Sequence, residues 1–281
     1  MPFPFALLAP RQVVCLRGPD RIRFLNGQMS NDCRKTHSGT QVPACILNAK
    51  GKLQFTIHVS VTEDSLLCDA PVRADGPTLF ERLDRYLVAD QVELSDDSAN
   101  FALLHFPDHS KNDIPLPATS TTFPSSRLGT VGTDVWIPAY TASEWATRPE
   151  RLSETQIAQR RILHGIPEWG YELDDDTLPA EAGLDRTHID FHKGCYIGQE
   201  VVSRIKSVGR VNRSLARITC THPLQQGFTL ISAGRECGKV TTPISDASGL
   251  WHALALIHRT AEPSQIFCGD IPVTIEKLYG G

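Results

Sequence analysis

The segment Lys193-Gly194-Cys195-Tyr196-Ile197-Gly198-Gln199-Glu200 sets one cysteine in a short polar stretch that two glycines punctuate. The neighbouring cations His192 and Lys193 favour the thiolate, which is the reactive form of cysteine. The two glycines allow a tight turn or the close approach of a ligand to the backbone. We therefore predict that Cys195 is the catalytic residue. Its supporting residues in the motif are Lys193, Gly194, Tyr196, Gly198, Gln199 and Glu200.

Two other interpretations of Cys195 stay open at this point. Free cysteine is among the most buried residue types, so Cys195 could be a structural residue beside a strand. It could also form a papain-like pair with a histidine. His188 and His192 are near in sequence, but such partners come from distant positions in the chain. No local protease signature surrounds Cys195, which disfavours the papain-like interpretation.

The spacing of the eight cysteines bears on redox compartment and metal binding. None forms a CxxC pair or a cluster with zinc-finger spacing. A chain of 281 residues does not need disulfides to fold, so we expect free thiols in a reducing, cytoplasmic compartment. The spacing also provides no familiar run of cluster ligands. The acidic triplet at 174–176 lacks the alternating ligands of an EF-hand loop, so we predict no metal site.

The composition is that of a globular protein with a sizeable core. Hydrophobic residues make up 41% of the sequence and charged residues 21%. The length allows two or three domains. The net charge of −4 does not indicate a protein coated in nucleic acid, although it is compatible with a local basic patch. We expect no membrane span and no secretory leader, because no apolar run is long enough and the start lacks a basic region and a clear cleavage site.

Hydrophobic periodicity predicts the main elements of the first half. Strict alternation over residues 53–61 predicts a half-buried strand. Asp20 is a candidate N-cap for a helix over 21–25 that Gly27 would end. A second helix is predicted from Pro77. Residues 107–127 are rich in Pro, Ser and Thr and predict a loop.

The second half ends in a pattern of short strands. Turn residues separate these strands after Lys206, and this pattern predicts a small β-barrel. The predicted strands cover residues 211–219, 237–241, 250–258 and 271–277. The predicted fold class is therefore α+β. The predicted domains are an N-terminal α+β subdomain over 1–100, a second α+β subdomain over 101–206 that ends in the cysteine motif, and the β-barrel over 207–281.

The sign of the charge changes at the motif. Residues 168–190 contain eight acidic side chains, whereas residues 191–217 contain six Lys or Arg side chains. The two runs could be solvated faces that pair with each other. Alternatively, the basic run lines an electropositive groove beside Cys195 that suits an anionic ligand.

The Cys195 segment closely resembles the signature K-G-C-[FY]-x-G-Q-E of the YgfZ family. Blocks that precede it in the same order are similar to further segments of that family: FLNGQMSND over 24–32, NAKGK over 48–52, RILHGIPE over 161–168 and LPAEAGL over 178–184. The similarity continues after the motif through Val201, Arg204, Val211, Asn212 and Arg213. The resemblance thus spans most of the chain, and its eight-residue motif is highly specific.

The resemblance implies a fold like that of the glycine-cleavage T-protein, an aminomethyltransferase, with a folate-binding core and the C-terminal β-barrel. It implies tetrahydrofolate, or a one-carbon derivative, as cofactor. It also implies support of iron-sulfur cluster assembly or repair, including clusters of tRNA-modifying enzymes. Cys195 would be essential, and the partners would be iron-sulfur enzymes or cluster carriers. The candidate cofactor-binding residues are Asn26, Gln28, Asn48, Arg161, Glu181, Arg204 and Arg213.

Two positions distinguish this chain from the aminomethyltransferases that it resembles. The acidic residue that works on the folate in those enzymes falls on Gln54, which cannot act as a carboxylate, and a pterin-binding glutamate falls on Leu163. We therefore expect an accessory factor more than a classical aminomethyltransferase. The alternatives are a folate-dependent aminomethyl- or methyltransferase, and a non-catalytic module that docks on iron-sulfur enzymes or tRNA through the basic run.

Overall fold

Three β-sheets organise the chain, which a computed structural model describes over residues 3–8, 10–117 and 119–280. The strands are β1 (Ala6–Leu7), β2 (Arg11–Arg17), β3 (Gln41–Leu47), β4 (Leu53–Val61), β5 (Ser65–Pro71), β6 (Glu93–Asp96), β7 (Phe101–Pro107), β8 (Thr121–Ser125), β9 (Gly132–Pro138), β10 (Arg213–Cys220), β11 (Thr229–Ser232), β12 (Arg235–Ser245), β13 (Trp251–His258), β14 (Ile266–Cys268), β15 (Ile271–Pro272) and β16 (Thr274–Leu278). The α-helices are α1 (Arg21–Gln28), α2 (Leu79–Asp84), α3 (Ala142–Ala146), α4 (Glu154–His164) and α5 (Gln199–Val208). Single 3-10 turns cover Cys33–Lys35, Ala139–Thr141, Pro179–Ala182 and Leu184–Arg186.

The chain divides into two compact units. The first unit comprises Met1–Lys50, Gln54–Ser153 and His188–Gln199, and the second comprises Gly51–Leu53, Glu154–Thr187 and Glu200–Gly281. Compactness therefore groups residues 101–153 with the N-terminal strands. The domain boundaries predicted at residues 100 and 206 stay a prediction.

The first sheet has the strand order β3-β4-β5-β2-β6 and packs against two helices of the first unit. Phe24 and Leu25 of α1 and Leu79 and Leu83 of α2 join Phe55 of β4 in one buried cluster. Burying a side chain of this size stabilises the fold by about 1.5–3 kcal/mol relative to leaving it in water. These contacts fix α1, which leads into the candidate site.

Strand β4 has the predicted bounds but not the predicted half-exposed face. Its alternate polar residues Thr56 and Ser60 are buried, and Gln54 and His58 are partly buried. Gln54, His58 and Ser60 contact other side chains of the protein. Ser60, for example, accepts a hydrogen bond from Gln41 Nε2 at 2.9 Å. A period of two thus located the strand, while the inference that one face meets water was wrong.

Helix α1 is longer than predicted. It continues through Gly27 to Gln28, and the backbone N–H of Met29 donates to Leu25. Asp20 stands at its N-cap position but does not cap the helix. Its carboxylate instead accepts a hydrogen bond from the backbone N–H of Gln91 at 2.8 Å.

The second sheet also belongs to the first unit and has the order β1-β7-β9-β8. Strand β8 lies inside residues 107–127, so the prediction of a loop was wrong for residues 121–125. The physical reason is that this stretch pairs antiparallel with β9, a long-range contact that composition does not encode. Residue 118 of the predicted loop lies outside the described residues.

A buried polar cluster joins side chains of the first unit. Arg127 donates from Nη2 to Asp69 Oδ1 at 2.6 Å and from Nε to Asp134 Oδ2 at 2.5 Å. Arg11 pairs with Asp69, and His105 Nδ1 lies 2.8 Å from Asp134 Oδ1. Two arginines thus balance two carboxylates. Removing one partner from such a buried group costs about 3–5 kcal/mol, because it leaves an uncompensated charge.

The second unit is built on a seven-stranded sheet with the order β15-β14-β11-β12-β13-β10-β16. Register shifts interrupt three of its antiparallel pairs, and bulges of this kind bend strands and increase their twist. One face covers a core that includes Ile218, Leu230 and Val240. Helix α4 contributes Ile162 to a second cluster with Leu215. None of the described helices is long and apolar enough to cross a membrane.

Candidate functional site

Lys193 anchors the motif loop from inside the first unit. Its Nζ donates to the backbone carbonyl oxygens of Asn26 at 2.6 Å, Met29 at 2.6 Å and Asn31 at 2.8 Å. An ammonium group has three protons, so these three carbonyls use all of them. Burial lowers the pKa of Lys193 to about 8, which leaves the group charged at neutral pH.

Further hydrogen bonds connect the residues before the motif to the segment after α1. Ser30 Oγ donates to the carbonyl of His188 at 2.6 Å and accepts from the backbone N–H of Cys45 at 2.8 Å. The backbone N–H of Asp190 donates to the Ser30 carbonyl at 3.1 Å, and its carboxylate pairs with Lys35. The motif is therefore held on the first unit by side-chain and backbone bonds.

This geometry corrects the hypothesis that Lys193 stabilises a thiolate at Cys195. The Lys193 ammonium is directed to backbone carbonyls and has no proton left for the thiol. His192 is exposed, and its backbone N–H donates to Asp190 Oδ1 at 2.8 Å. Lys193 thus has a positioning role.

Cys195 lies on the solvent side of the loop between two buried residues. Lys193 is 6% exposed and Tyr196 is 8% exposed, whereas the Cys195 side chain is exposed. The Lys193 Nζ lies 5.0 Å from the centre of the Tyr196 ring, so the two buried side chains support each other. A Cβ added to Gly194 would meet no atom within 4 Å, so the backbone beside the thiol is open to a ligand. The interpretation of Cys195 as a buried structural residue is therefore wrong.

The other seven cysteines differ from Cys195 in their burial. Six are buried and Cys268 is intermediate. Burial raises the pKa of the Cys33 thiol to about 11 and that of Cys68 well above its ordinary value. A raised pKa disfavours the thiolate, so these thiols are poor nucleophiles. Within the described residues, no group of three or more His, Cys, Asp or Glu side chains could hold a metal ion.

The candidate cofactor-binding residues of the first unit have different surroundings. Asn26 is buried, and its Oδ1 accepts from the backbone N–H of Cys33 at 3.1 Å. Asn48 Oδ1 accepts from the backbone N–H of Lys50 at 2.9 Å and so shapes a turn. Gln28 is partly exposed.

The candidates of the second unit form ion pairs. Arg161 is buried and binds Glu172 Oε2 from Nη2 at 2.7 Å. Glu181 accepts a hydrogen bond from Arg213 Nε at 3.1 Å. These contacts give all four side chains a stabilising role within the second unit. The ion pair of Arg213 and Glu181 also connects the basic run to the acidic run, which agrees with the interpretation that the two runs pair with each other.

Helix α5 begins with the last two residues of the motif and carries Arg204 and Lys206 of the basic run. It begins at Gln199, whose backbone N–H donates to the Tyr196 carbonyl at 3.2 Å. Gly198 just before it has a φ of +85°, a conformation that favours glycine. Arg204 and Arg210 are exposed. The helix therefore presents positive charge to solvent directly after the cysteine motif in the chain.

Sequence reasoning missed a buried arginine in the first unit. Arg82 of α2 is 3% exposed and donates from Nε to Gln54 Oε1 at 2.7 Å and from Nη1 to Gln28 Oε1 at 3.1 Å. Gln54 thus stands beside a guanidinium. Leu163, the other position that differs from the aminomethyltransferases, is 56% exposed. The available signal for Arg82 was its place in α2, where a charged residue stands next to the buried Leu83.

The chain is similar in sequence to iron-sulfur cluster assembly factors of fungi and to a plant protein. No family model matches the chain. The "Iron-sulfur cluster assembly factor IBA57 homolog, mitochondrial" of Neurospora crassa is 27% identical over 231 residues, which cover 74% of this chain and 52% of the relative. A putative chloroplastic transferase of Arabidopsis thaliana is 23% identical over 266 residues, which cover 84% of this chain and 60% of the relative. The chain spans about half the length of the first curated relatives it matches.

A solved structure confirms the predicted fold. The glycine cleavage system aminomethyltransferase T from Bartonella henselae matches with a TM-score of 0.81 at 15% identity, covering 98% of this chain and 85% of that chain. The chain therefore has an aminomethyltransferase-like fold. The relatives carry the IBA57 name, so the similarity found is to those assembly factors, and assignment to the YgfZ family itself stays a prediction.

The prediction of a cytoplasmic protein is contradicted by these relatives. Three of them carry names that place them in mitochondria, and the plant relative is named as chloroplastic. These names point to an organelle instead. Free thiols indicate a reducing compartment, but they do not distinguish the cytoplasm from other reducing compartments.

Proposed function

We propose that this protein supports the assembly or repair of iron-sulfur clusters and that Cys195 is its essential reactive thiol. The observation that carries the proposal is the exposed Cys195 on a loop that buried Lys193 and Tyr196 hold in place. The name of the fungal relatives, iron-sulfur cluster assembly factor, supports the same role. The resemblance of the motif to the YgfZ signature agrees with both.

A cysteine thiolate supplies the chemistry that such a role requires. It is a nucleophile toward sulfur and other electrophiles, and it is a soft ligand for iron. Cys195 can do this from the surface, whereas six of the other thiols are buried. The iron or sulfur is the cargo in this proposal, and the protein supplies one positioned thiol.

We further propose tetrahydrofolate, or a one-carbon derivative, as the cofactor. The aminomethyltransferase-like fold and the sequence resemblance support this. A pterin presents amide-like donors and acceptors, and the partly exposed side-chain amides of Gln28 and Gln54 offer matching groups, so these residues fit such a ligand. Of the candidates named from sequence, Gln28 and the exposed Arg204 come first. Asn26, Asn48, Arg161, Glu181 and Arg213 already bind protein groups.

Gln54 favours the role of an accessory factor over that of a classical aminomethyltransferase. It places a neutral amide, bound to Arg82, at the position where the resemblance expects a carboxylate. Iron-sulfur enzymes or cluster carriers are the proposed partners, and their proposed contact is the exposed Arg204 of α5 together with the exposed Arg210 just after that helix. A proposed link to tRNA modification rests on the sequence resemblance alone.

The test replaces Cys195 with Ser in cells that lack the native protein. We expect iron-sulfur enzyme activity to stay at the level of the empty strain although the variant accumulates normally. The matched control is Cys268→Ser, which changes the only other cysteine that is not buried and should restore activity. Restoration by Cys195→Ser would overturn the proposed role.

Two further measurements separate the remaining parts of the proposal. Calorimetry with tetrahydrofolate should show binding to the wild type and to Cys195→Ser alike, and absence of binding at millimolar ligand would remove the cofactor. Reversing Arg210 to Glu should weaken binding to client enzymes and leave folate binding intact, because Arg210 is not among the folate candidates. Client binding at the wild-type level would exclude that contact surface.

A further inference from the structure

Arg82 is a buried cation without an acidic partner. The residue is 3% exposed, and no carboxylate forms a salt bridge with it among the described residues. Its Nη2 atom is fully buried and has no hydrogen-bond partner in the part of the chain that the structure describes. Burial lowers the pKa of Arg82, and nearby Arg85 acts in the same direction. An uncompensated buried charge of this kind is costly in the absence of a ligand.

The two glutamines next to Arg82 add donors to the same place. A guanidinium has only donors, so the amide oxygens of Gln54 and Gln28 must face it. Their amide NH2 groups are thereby left for another acceptor, and neither has one among the described residues. Arg73 adds positive charge by donating from Nη1 to the backbone carbonyl of Gln54 at 2.5 Å. The cluster thus offers donors and cations, and no carboxylate.

We propose that Arg82, Gln28 and Gln54 form a binding site for an oxyanion, namely the carboxylate or phosphate group of a small-molecule ligand. The oxyanion accepts from Arg82 Nη2 and from the two amide NH2 groups. Charge-assisted hydrogen bonds from a planar guanidinium are the strongest contacts that proteins make to such groups. Gln28 and Gln54 are also the amides proposed above to contact the pterin. The oxyanion proposal rests on the buried Nη2 of Arg82 and is tested below with simple anions in the absence of folate.

Tyr86 covers one side of the Arg82 guanidinium. Its ring lies over the Arg82 guanidinium, with 4.0 Å between the ring centre and Cζ, and the residue is 42% exposed. In this proposal an oxyanion reaches Nη2 when the exposed Tyr86 side chain rotates away from the guanidinium. Before the anion binds, the cation–π contact with the Tyr86 ring stabilises the Arg82 guanidinium in part.

The test measures thermal unfolding midpoints in sodium acetate and in sodium phosphate, each against sodium chloride at equal ionic strength. A ligand that binds the folded state raises the midpoint as its concentration rises. Salts such as phosphate also stabilise proteins generally, so the informative quantity is the difference between wild type and Arg82→Met. We expect an apparent affinity weaker by about tenfold or more in Arg82→Met. A larger response to acetate identifies a carboxylate, and a larger response to phosphate identifies a phosphate.

Two further variants make the outcome decisive. Gln54→Glu places a carboxylate beside Arg82 Nε, so we expect a higher midpoint without added anion and no specific anion response. Arg85→Met removes the same charge from an exposed position on the same helix end and should respond like the wild type. Equal anion responses in wild type and Arg82→Met would overturn the proposal. If Arg82→Met does not fold, a wild-type response in Gln54→Glu would overturn it equally.

Discussion

Replacing Lys193 with Met tests whether this side chain holds the motif loop. The substitution removes three hydrogen bonds to the carbonyls of Asn26, Met29 and Asn31. A net loss of about 1 kcal/mol for each bond gives about 3 kcal/mol, and the removed cost of burying an ammonium offsets part of it. We therefore expect the free energy of unfolding to fall by about 2–3 kcal/mol.

Urea unfolding measures this loss as a lower midpoint with an unchanged dependence on denaturant. Hydrogen exchange adds a local readout, because the backbone amides of residues 188–199 should lose protection before the sheets do. The matched control is Lys35→Met, which changes a lysine whose side chain is 60% exposed and which pairs with Asp190 of the same loop. Exposed pairs contribute about 0–1 kcal/mol, so the control should stay close to the wild type. Equal stability and equal loop protection in the two variants would refute the anchoring role of Lys193.

Three further predictions concern the two units. Burial, with a smaller contribution from Arg127, lowers the pKa of His188 to about 4, so the unfolded chain binds more protons than the folded protein between pH 4 and 6.5. The free energy of unfolding should therefore fall by up to about 3 kcal/mol on acidification across that range. Urea titrations should show a smaller fall in His188→Gln, and an identical fall would contradict the assignment to His188. Arg127→Met leaves Arg11 as the one arginine beside the two buried carboxylates Asp69 and Asp134, and it should lower the free energy of unfolding by about 3–5 kcal/mol. Calorimetry would disprove this by finding a loss below about 1 kcal/mol. Gly165→Ala sets a Cβ 2.3 Å from the Tyr279 ring at a φ of +67°, whereas the control Gly170→Ala has a φ of +83° and open space around the new Cβ. We expect thermal melts to show a larger loss of stability for Gly165→Ala, about 2–4 kcal/mol. Similar losses in the two variants would show that the Tyr279 ring moves aside.

The sequence was sufficient for the fold class and for the candidate thiol. The eight-residue motif and the order of the blocks before it predicted an aminomethyltransferase-like fold, which the structural match confirms. The exposure of Cys195 agrees with its predicted role, which awaits experiment. A local motif carries this information because it combines backbone requirements, such as the positive φ at Gly198, with side-chain chemistry.

The partners of polar side chains could not be predicted. Lys193 is next to Cys195 in sequence, yet its ammonium binds carbonyls more than 160 residues away in the chain. In β4, the alternation that located the strand also suggested a solvated face, whereas Gln54 and Ser60 on that face bind other side chains. Periodicity reports which residues are polar but not whether water or protein satisfies them.

The most direct test of the central claim is selective alkylation of Cys195 followed by addition of the purified protein to an extract of cells that lack it. Because six of the other cysteines are buried and one is intermediate, brief treatment with iodoacetamide should add one alkyl group, which peptide mass spectrometry should locate on Cys195. We expect the singly alkylated protein to fail to restore the activity of an iron-sulfur enzyme that the untreated protein restores. Restoration at the untreated level by protein alkylated at Cys195 would contradict the account.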